Sequence, residues 1–269
     1  MTEIKRKGSK STKDIPVQIL DQLNNGEIET ANLVEWLAVN QRLLIENLLK
    51  KNDRLEYLNA ILSNIDNLKK QTVNTINEKI GTTLLEQFIK NNDTKILSII
   101  INHKSDVIRC WAAYIIAKND SLNVSQKLQK IQVLAADKHF GVREISWLAV
   151  RPSIAMKLDE SLNILATWTT NQDENIRRFA SESTRPRGVW CEHIAALKQK
   201  PELGLSILEN LKSDKSKYVQ DSVANWLNDA SKTQPDFVIN LCEKWQKKSA
   251  TKETIYIIKK ALRTIEKSK

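Results

Sequence analysis

Glycine and proline are scarce in this 269-residue chain, at six and five copies. An all-β fold needs both at its many reversals, so their rarity argues against one. Cysteine is as thinly spread: Cys110, Cys191 and Cys242 lie far apart with no CxxC spacing, which excludes a disulfide framework or a cysteine-based zinc site and leaves three buried thiols. His103, His139 and His193 are isolated too, and without an HExxH or a His/Cys cluster a metal enzyme is not expected. The glycine-bearing loops GxGxxG, GxxxxGK[ST] and GxSxG are absent, and with them the nucleotide-binding and hydrolase folds built on those loops. No apolar run approaches the ~18 residues that span a bilayer. The basic start MTEIKRKGSKSTKD is not followed by a secretory apolar core, so a cytoplasmic protein with no membrane partner is expected.

Hydrophobic residues make up 41% of the chain, enough to bury one large core or two smaller ones. Leu, Ile, Ala, Lys, Glu and Gln dominate, and these favour helices. Lys and Arg exceed Asp and Glu by 42 to 32, giving +10, a field that attracts a polyanion such as nucleic acid. A soluble lysine-rich surface produces the same total, so the arrangement of the arginines has to decide.

A repeat runs through the middle of the chain. The segments VIRCWAAYIIAK, GVREISWLAVRP, NIRRFASESTRP and YVQDSVANWLND register on Ile108, Val142, Ile176 and Val219, at intervals of 34, 34 and 43 residues, the last lengthened by extra sequence after Arg187. Four residues on come Ala112, Ser146, Ala180 and Val223, then Ala113, Trp147, Ser181 and Ala224, and at the eighth position Ile116, Val150, Thr184 and Leu227. That spacing gives a helix with one buried face, and the small residues on it let neighbouring helices approach. KILSIIINHK, KLQKIQVLAADK, SLNILATWTTNQ and GLSILENLKSDK lie upstream as partner helices. The expected fold is all-α, a right-handed α-α superhelix (solenoid) of HEAT-like or armadillo-like repeats over 53–269, behind a mobile basic tail at 1–14 and a helical cap at 15–52.

Second helices of such repeats commonly line the concave surface, so their polar positions are the candidate site. One residue past the anchors stand Arg109, Arg143, Arg177 and Gln220; such a ladder either pairs with acids in the preceding turns, here Asp106, Asp137 and Asp173, or meets a ligand. Arg151-Pro152 and Arg185-Pro186 fall at equivalent places, with Arg187 following. A proline there is expected to end the helix, and an arginine beside it either reaches a phosphate with its fork of donors or caps the last carbonyls. Arg143, Arg151, Arg177, Arg178, Arg185 and Arg187 are the candidates for DNA-backbone contact. Of seven tryptophans, Trp36, Trp168 and Trp245 sit in apolar helical stretches and read as core, whereas Trp147, Trp190 and Trp226 lie beside arginines and carboxylates and are candidates to line an aromatic pocket.

SWLAVRP, NIRRFASESTRPRGVW and SVANWLND resemble motifs of the AlkC/AlkD-like DNA alkylation repair superfamily, nearest its AlkC-like branch, across roughly residues 100–235. The resemblance implies binding of double-stranded, alkylated or otherwise altered DNA by a monomer and, in active members, release of purines alkylated on a ring nitrogen without a cofactor. It matches Asp229 to one catalytic carboxylate. The second expected carboxylate falls at Trp147, so that half of the constellation is missing, and Glu144, three residues earlier, is the candidate replacement. Glu182 is a further acid, more simply an ion-pair partner of Arg185. A non-catalytic binder of damaged or branched DNA, and a protein-binding HEAT scaffold, are the alternatives.

Overall fold

The helix starts follow from short-range chemistry. Thr72 and Thr75 exchange side-chain and backbone hydrogen bonds in a capping box at the head of one long helix, and Asn123 and Gln126 do the same for another. Between such starts the apolar residues recur at helical spacing, and the described residues, 6–248 and 251–267 of this computed structural model, contain helices and no strand. They fall into two compact units, one drawn from Met1–Ser121 and Lys138–Ala149, the other from Leu122–Asp137 and Val150–Lys269.

In the first unit α1 (Val17–Asn24), α2 (Leu33–Ala38) and α3 (Gln41–Lys51) precede α4 (Leu58–Asp66), α5 (Val73–Asn91), α6 (Ile96–Ile101) and α7 (Asp106–Ala117). Helices α4 and α5 pack as a pair, as do α6 and α7, and α5 lies along α7. Gly81 permits that approach, since a Cβ there would stand 2.6 Å from the Cβ of Tyr114 and 2.8 Å from the carbonyl oxygen of Trp111. Of the expected mobile tail, residues 1–5 lie outside the described residues. Residues 6–14 are tied down, with both terminal nitrogens of Arg6 2.6 Å from the buried Glu35 carboxylate and the Asn32 amide donating to the Ser9 carbonyl. A deep polar knot joins Asp106, which accepts from the Thr30 amide and hydroxyl, to His139, whose Nδ1 is 3.2 Å away.

The second unit holds α8 (Val124–Ala135), α10 (Leu158–Trp168), α11 (Glu174–Glu182), α12 (Ala195–Gln199), α13 (Leu205–Leu211), α14 (Lys217–Ser231), α15 (Pro235–Lys248), α16 (Lys252–Ala261) and α17 (Arg263–Lys267), while α9 (Phe140–Met156) carries residues of both units. Helices α8, α10 and α13 form one layer; α11, α14 and α16 form the other, joined through the pairs α10–α11, α13–α14 and α15–α16. These are the two-helix repeats read from the sequence, and the anchors Ile176 and Val219 and the small residues Ala180, Ser181, Val223 and Ala224 are all buried on the second helices.

One expectation is corrected here. Pro152 does not end its helix: α9 continues through it to Met156, so Arg151 lies mid-helix, whereas α11 stops at Glu182 and Arg185 stands in the segment beyond. A proline inside a helix loses one backbone bond but is tolerated where packing holds both sides. The two Arg-Pro pairs, alike in sequence, are therefore in different structural positions.

Candidate nucleic-acid interface

The arginine ladder folds back onto the chain. Arg109 donates to the carbonyls of His103 and Lys104, Arg143 to that of Lys138, and Arg177 to those of Asn171 and Gln172, while the Gln220 amide reaches the Asp214 carbonyl; each acceptor is five or six residues upstream. The repeated residue satisfies carbonyls left open where the first helix ends, which explains its period without any ligand. Of the expected acidic partners, Asp173 caps α11 through the Asn175 amide, and Asp106 serves Thr30 and His139; Arg109 pairs with Glu29, and Arg177 with Asp214 in the turn before α14. Asp214 and two carbonyls take four of the five N–H donors of Arg177, which leaves one on Nη2 for a phosphate.

The expectation for Arg151 is corrected. Only 2% exposed, it sends Nη1 to the Ser183 carbonyl (2.8 Å), Nη2 to that of Arg185 (2.5 Å) and Nε to that of Glu192 (3.2 Å). Burial pulls its pKa below the ordinary arginine value. Replacing it by methionine leaves three carbonyls without a donor at about 1–3 kcal/mol each if water cannot reach them. Arg151→Met should therefore lower the unfolding free energy by roughly 3 kcal/mol in urea melts, and Arg151→Lys, lacking the fork, should not restore it.

Arg185 bridges two carboxylates on adjacent helices. Its Nη1 donates to Glu182 Oε1 of α11 (2.7 Å), and Nε (2.8 Å) and Nη2 (2.7 Å) converge on Asp229 Oδ2 of α14. The three side chains are 12%, 5% and 5% exposed. The Ser222 hydroxyl donates to Glu182 Oε2 at 2.7 Å and Arg178 lies 3.6 Å from the same oxygen while covering the Tyr218 ring. Burial opposes ionisation of Glu182, yet Arg178 and Arg185 outweigh it and hold the carboxyl below its usual range. Asp229 Oδ1 is held differently, by Lys232 Nζ at 3.3 Å, on a side chain 42% exposed. The arrangement is a carboxylate clamped on one oxygen by a rigid arginine and covered on the other by a flexible lysine.

Six of the seven tryptophans are buried, including Trp147 and Trp226. Trp226 is fully enclosed, its indole nitrogen 3.3 Å from the Thr184 hydroxyl and its ring against Gly204, which corrects its assignment to a ligand pocket. Trp147 donates its Nε1 proton to Glu144 Oε2 at 2.9 Å, so the candidate acid is engaged by the residue it was to replace. Glu144 and Trp147 belong to the first unit, Arg185 and Asp229 to the second. Trp190 alone of the seven is open, at the tip of a loop that follows Pro186. Arg187, in the same loop, makes no hydrogen bond or ion pair among the described residues, and its Nε is buried without a partner. Sequence reading did not foresee Lys232 beside Asp229; its three-residue spacing on the end of α14 was the available signal.

The clamp and its loop lie within a stretch that matches a known family. Residues 142–265 match the DNA alkylation repair enzyme family model. The resemblance read from SWLAVRP, NIRRFASESTRPRGVW and SVANWLND is thereby borne out for this segment. The uncharacterized protein YhaZ of Bacillus subtilis is 42% identical over 122 residues, 45% of this chain and 34% of YhaZ, so the chain spans about a third of that relative's length. Among solved structures, the alkylpurine DNA glycosylase AlkC of Pseudomonas fluorescens, bound to DNA containing an abasic site analogue, is similar with a TM-score of 0.67 and 22% identity over 97% of this chain and 66% of AlkC. AlkD2 of Streptococcus mutans is similar with a TM-score of 0.57 and 21% identity, over 77% of this chain and 96% of its own. These likenesses establish for the chain the all-helical fold that it shares with AlkC and AlkD2. Among the described residues no helix is long and apolar enough to cross a membrane, and no cluster of His, Cys, Asp and Glu could hold a metal ion.

Proposed function

We propose that the chain is a DNA-binding HEAT-like repeat protein of DNA alkylation repair and that it excises cationic purines alkylated on a ring nitrogen from double-stranded DNA. The observation that carries this reading is the Arg185–Asp229 clamp inside the segment matching the family model. An alkylated purine already bears positive charge and leaves readily, so the protein has only to stabilise the charge developing on the sugar and position water. Asp229 Oδ1 would do this once Lys232 swings toward a phosphate, with Arg185 fixing the other oxygen. Arg187 would hold the DNA backbone; its removal as Arg187→Ala should weaken binding and lower the slope of log affinity against log salt by about one.

A second reading, a non-catalytic binder of damaged or branched DNA, is favoured by the Trp147–Glu144 hydrogen bond, which leaves no second carboxylate free in that motif. The test is to incubate the protein with a duplex carrying a methylated purine and record base release and binding in the same samples. Release supports the glycosylase, binding without release the second reading, and neither outcome leaves a protein-binding scaffold.

A further inference from the structure

The first unit holds a buried acid and imidazole that the proposed chemistry does not use. Asp106 is the first residue of α7, His139 stands immediately before α9, and Thr30 lies between them in the connector of α1 and α2. All three are buried. Asp, His and Thr together resemble a nucleophile triad, but the Thr30 hydroxyl gives its proton to Asp106 Oδ2 at 2.8 Å and no substrate reaches it. What the cluster does is hold a segment of chain.

The hydrogen bonds count the protons. His139 Nε2 stands 2.8 Å from the Thr30 carbonyl oxygen, which can only accept, so Nε2 carries a proton. In a neutral ring Nδ1 is then the acceptor, and the Gly141 amide donates to it at 3.2 Å. Asp106 Oδ2 lies 3.2 Å from the same nitrogen. A neutral imidazole beside an ionised carboxylate would set lone pair against lone pair there, in surroundings of low dielectric. One proton in the Nδ1–Oδ2 contact removes that conflict, whether it sits nearer the nitrogen or the oxygen. Burial pushes the Asp106 carboxyl up, against smaller downward pulls from His139, Thr30 and Arg109, which is the direction that retains such a proton.

The contact fastens more than itself. The Thr30 amide donates to Asp106 Oδ1 at 2.9 Å, Arg109 and Lys138 pair with Glu29, and the Ala31 amide and Arg6 share the Glu35 carboxylate. Arg6 also donates to the Glu29 carbonyl. Residues 29–35 are thus tied to the heads of α7 and α9 and carry residues 6–14 with them. His103, in the turn before α7, is pushed down to about 4 by burial, then by Lys51 and Arg109, so it is already neutral at neutral pH.

We infer that Asp106 and His139 share one proton, and that its loss unfastens residues 29–35 from the heads of α7 and α9, making a pH-sensitive latch on the N-terminal cap. The folded pair keeps its proton to a higher pH than a histidine of the unfolded chain, which loses it near about 6.5. The stability supplied by the latch is therefore complete below about pH 6.5 and is lost as pH rises through the folded value. His103 has the opposite sign, since its lowered value adds stability as pH rises to about 6.5 and nothing beyond.

The test follows amide hydrogen exchange of Thr30 and Ala31 in the full chain from about pH 6 to pH 9, as protection factors that remove the intrinsic pH dependence of exchange. Protection should hold to about pH 6.5 and then fall about tenfold for each pH unit until the folded pair gives up its proton. Asp106→Asn can place a permanent N–H donor against His139 Nδ1, and its protection should stay level above about pH 6.5. Level protection in the wild type, or an equal fall in Asp106→Asn, would overturn the latch. Where Asp106→Asn does not fold, the ring nitrogens of the wild type decide, read by NMR on isotope-labelled histidine. The Nδ1 resonance of His139 should lie toward the protonated position at about pH 6 and leave it in step with protection, and a resonance of unprotonated nitrogen throughout would overturn the shared proton.

Discussion

Asp229→Asn is expected to slow base release by about a hundredfold to a thousandfold, the range seen when one charge-stabilising group is removed from a preorganised site, while DNA affinity stays within a factor of about three. The substitution is well defined structurally. Asp229 Oδ2 takes two donors from Arg185 and Oδ1 one from Lys232. Asparagine can keep its oxygen toward Arg185 and turn its amide toward the mobile lysine, so the clamp persists and only the negative charge is lost. Single-turnover release from a methylpurine duplex, with binding followed by anisotropy, separates the two quantities. Release that survives in Asp229→Asn would show that the charge of Asp229 is not used in the chemistry, and would turn attention to Glu182 across the same arginine.

The repeat was legible because its cause is local. Helical spacing, small residues at the contact face and a ladder of Arg109, Arg143, Arg177 and Gln220 all follow from what each two-helix unit needs by itself, including donors for the carbonyls at its turn. The extra sequence after Arg187 was legible for the same reason, as a break in a period. What could not be read was direction. Arg151-Pro152 and Arg185-Pro186 look equivalent, yet one arginine lies inside a helix gripping carbonyls up to 41 residues away and the other lies beyond a helix end gripping carboxylates. Asp106 and His139 meet Thr30 from 76 and 109 residues away, a pairing no spacing encodes. The tryptophans divide likewise: Trp226, three residues before Asp229, looked like part of a site but is enclosed against Gly204, while Trp190 is outside because its loop is held there.

Arg185→Ala should destabilise the protein more than any other single change at the clamp, by about 3–5 kcal/mol at pH 7, because it strands two nearly buried carboxylates rather than removing a neutral contact. The pH dependence distinguishes this from simple loss of packing. In the wild type, Glu182 is held below the ordinary carboxylate range against the effect of its burial, so its contribution to stability is complete above the unfolded value of about 4.3 and fades as pH falls through the lower folded value. Without Arg185, burial is opposed by Arg178 at 3.6 Å and the Ser222 hydroxyl, and the folded value moves up. Acid then relieves the variant by neutralising the stranded acid, while the wild type keeps nearly all of the Glu182 contribution down to about pH 4, and the gap between them should narrow from pH 7 to pH 4. Urea unfolding at the two pH values measures it. A gap that stays constant would mean that the stability supplied by Arg185 comes from its packing, and that Glu182 keeps its charge by other means.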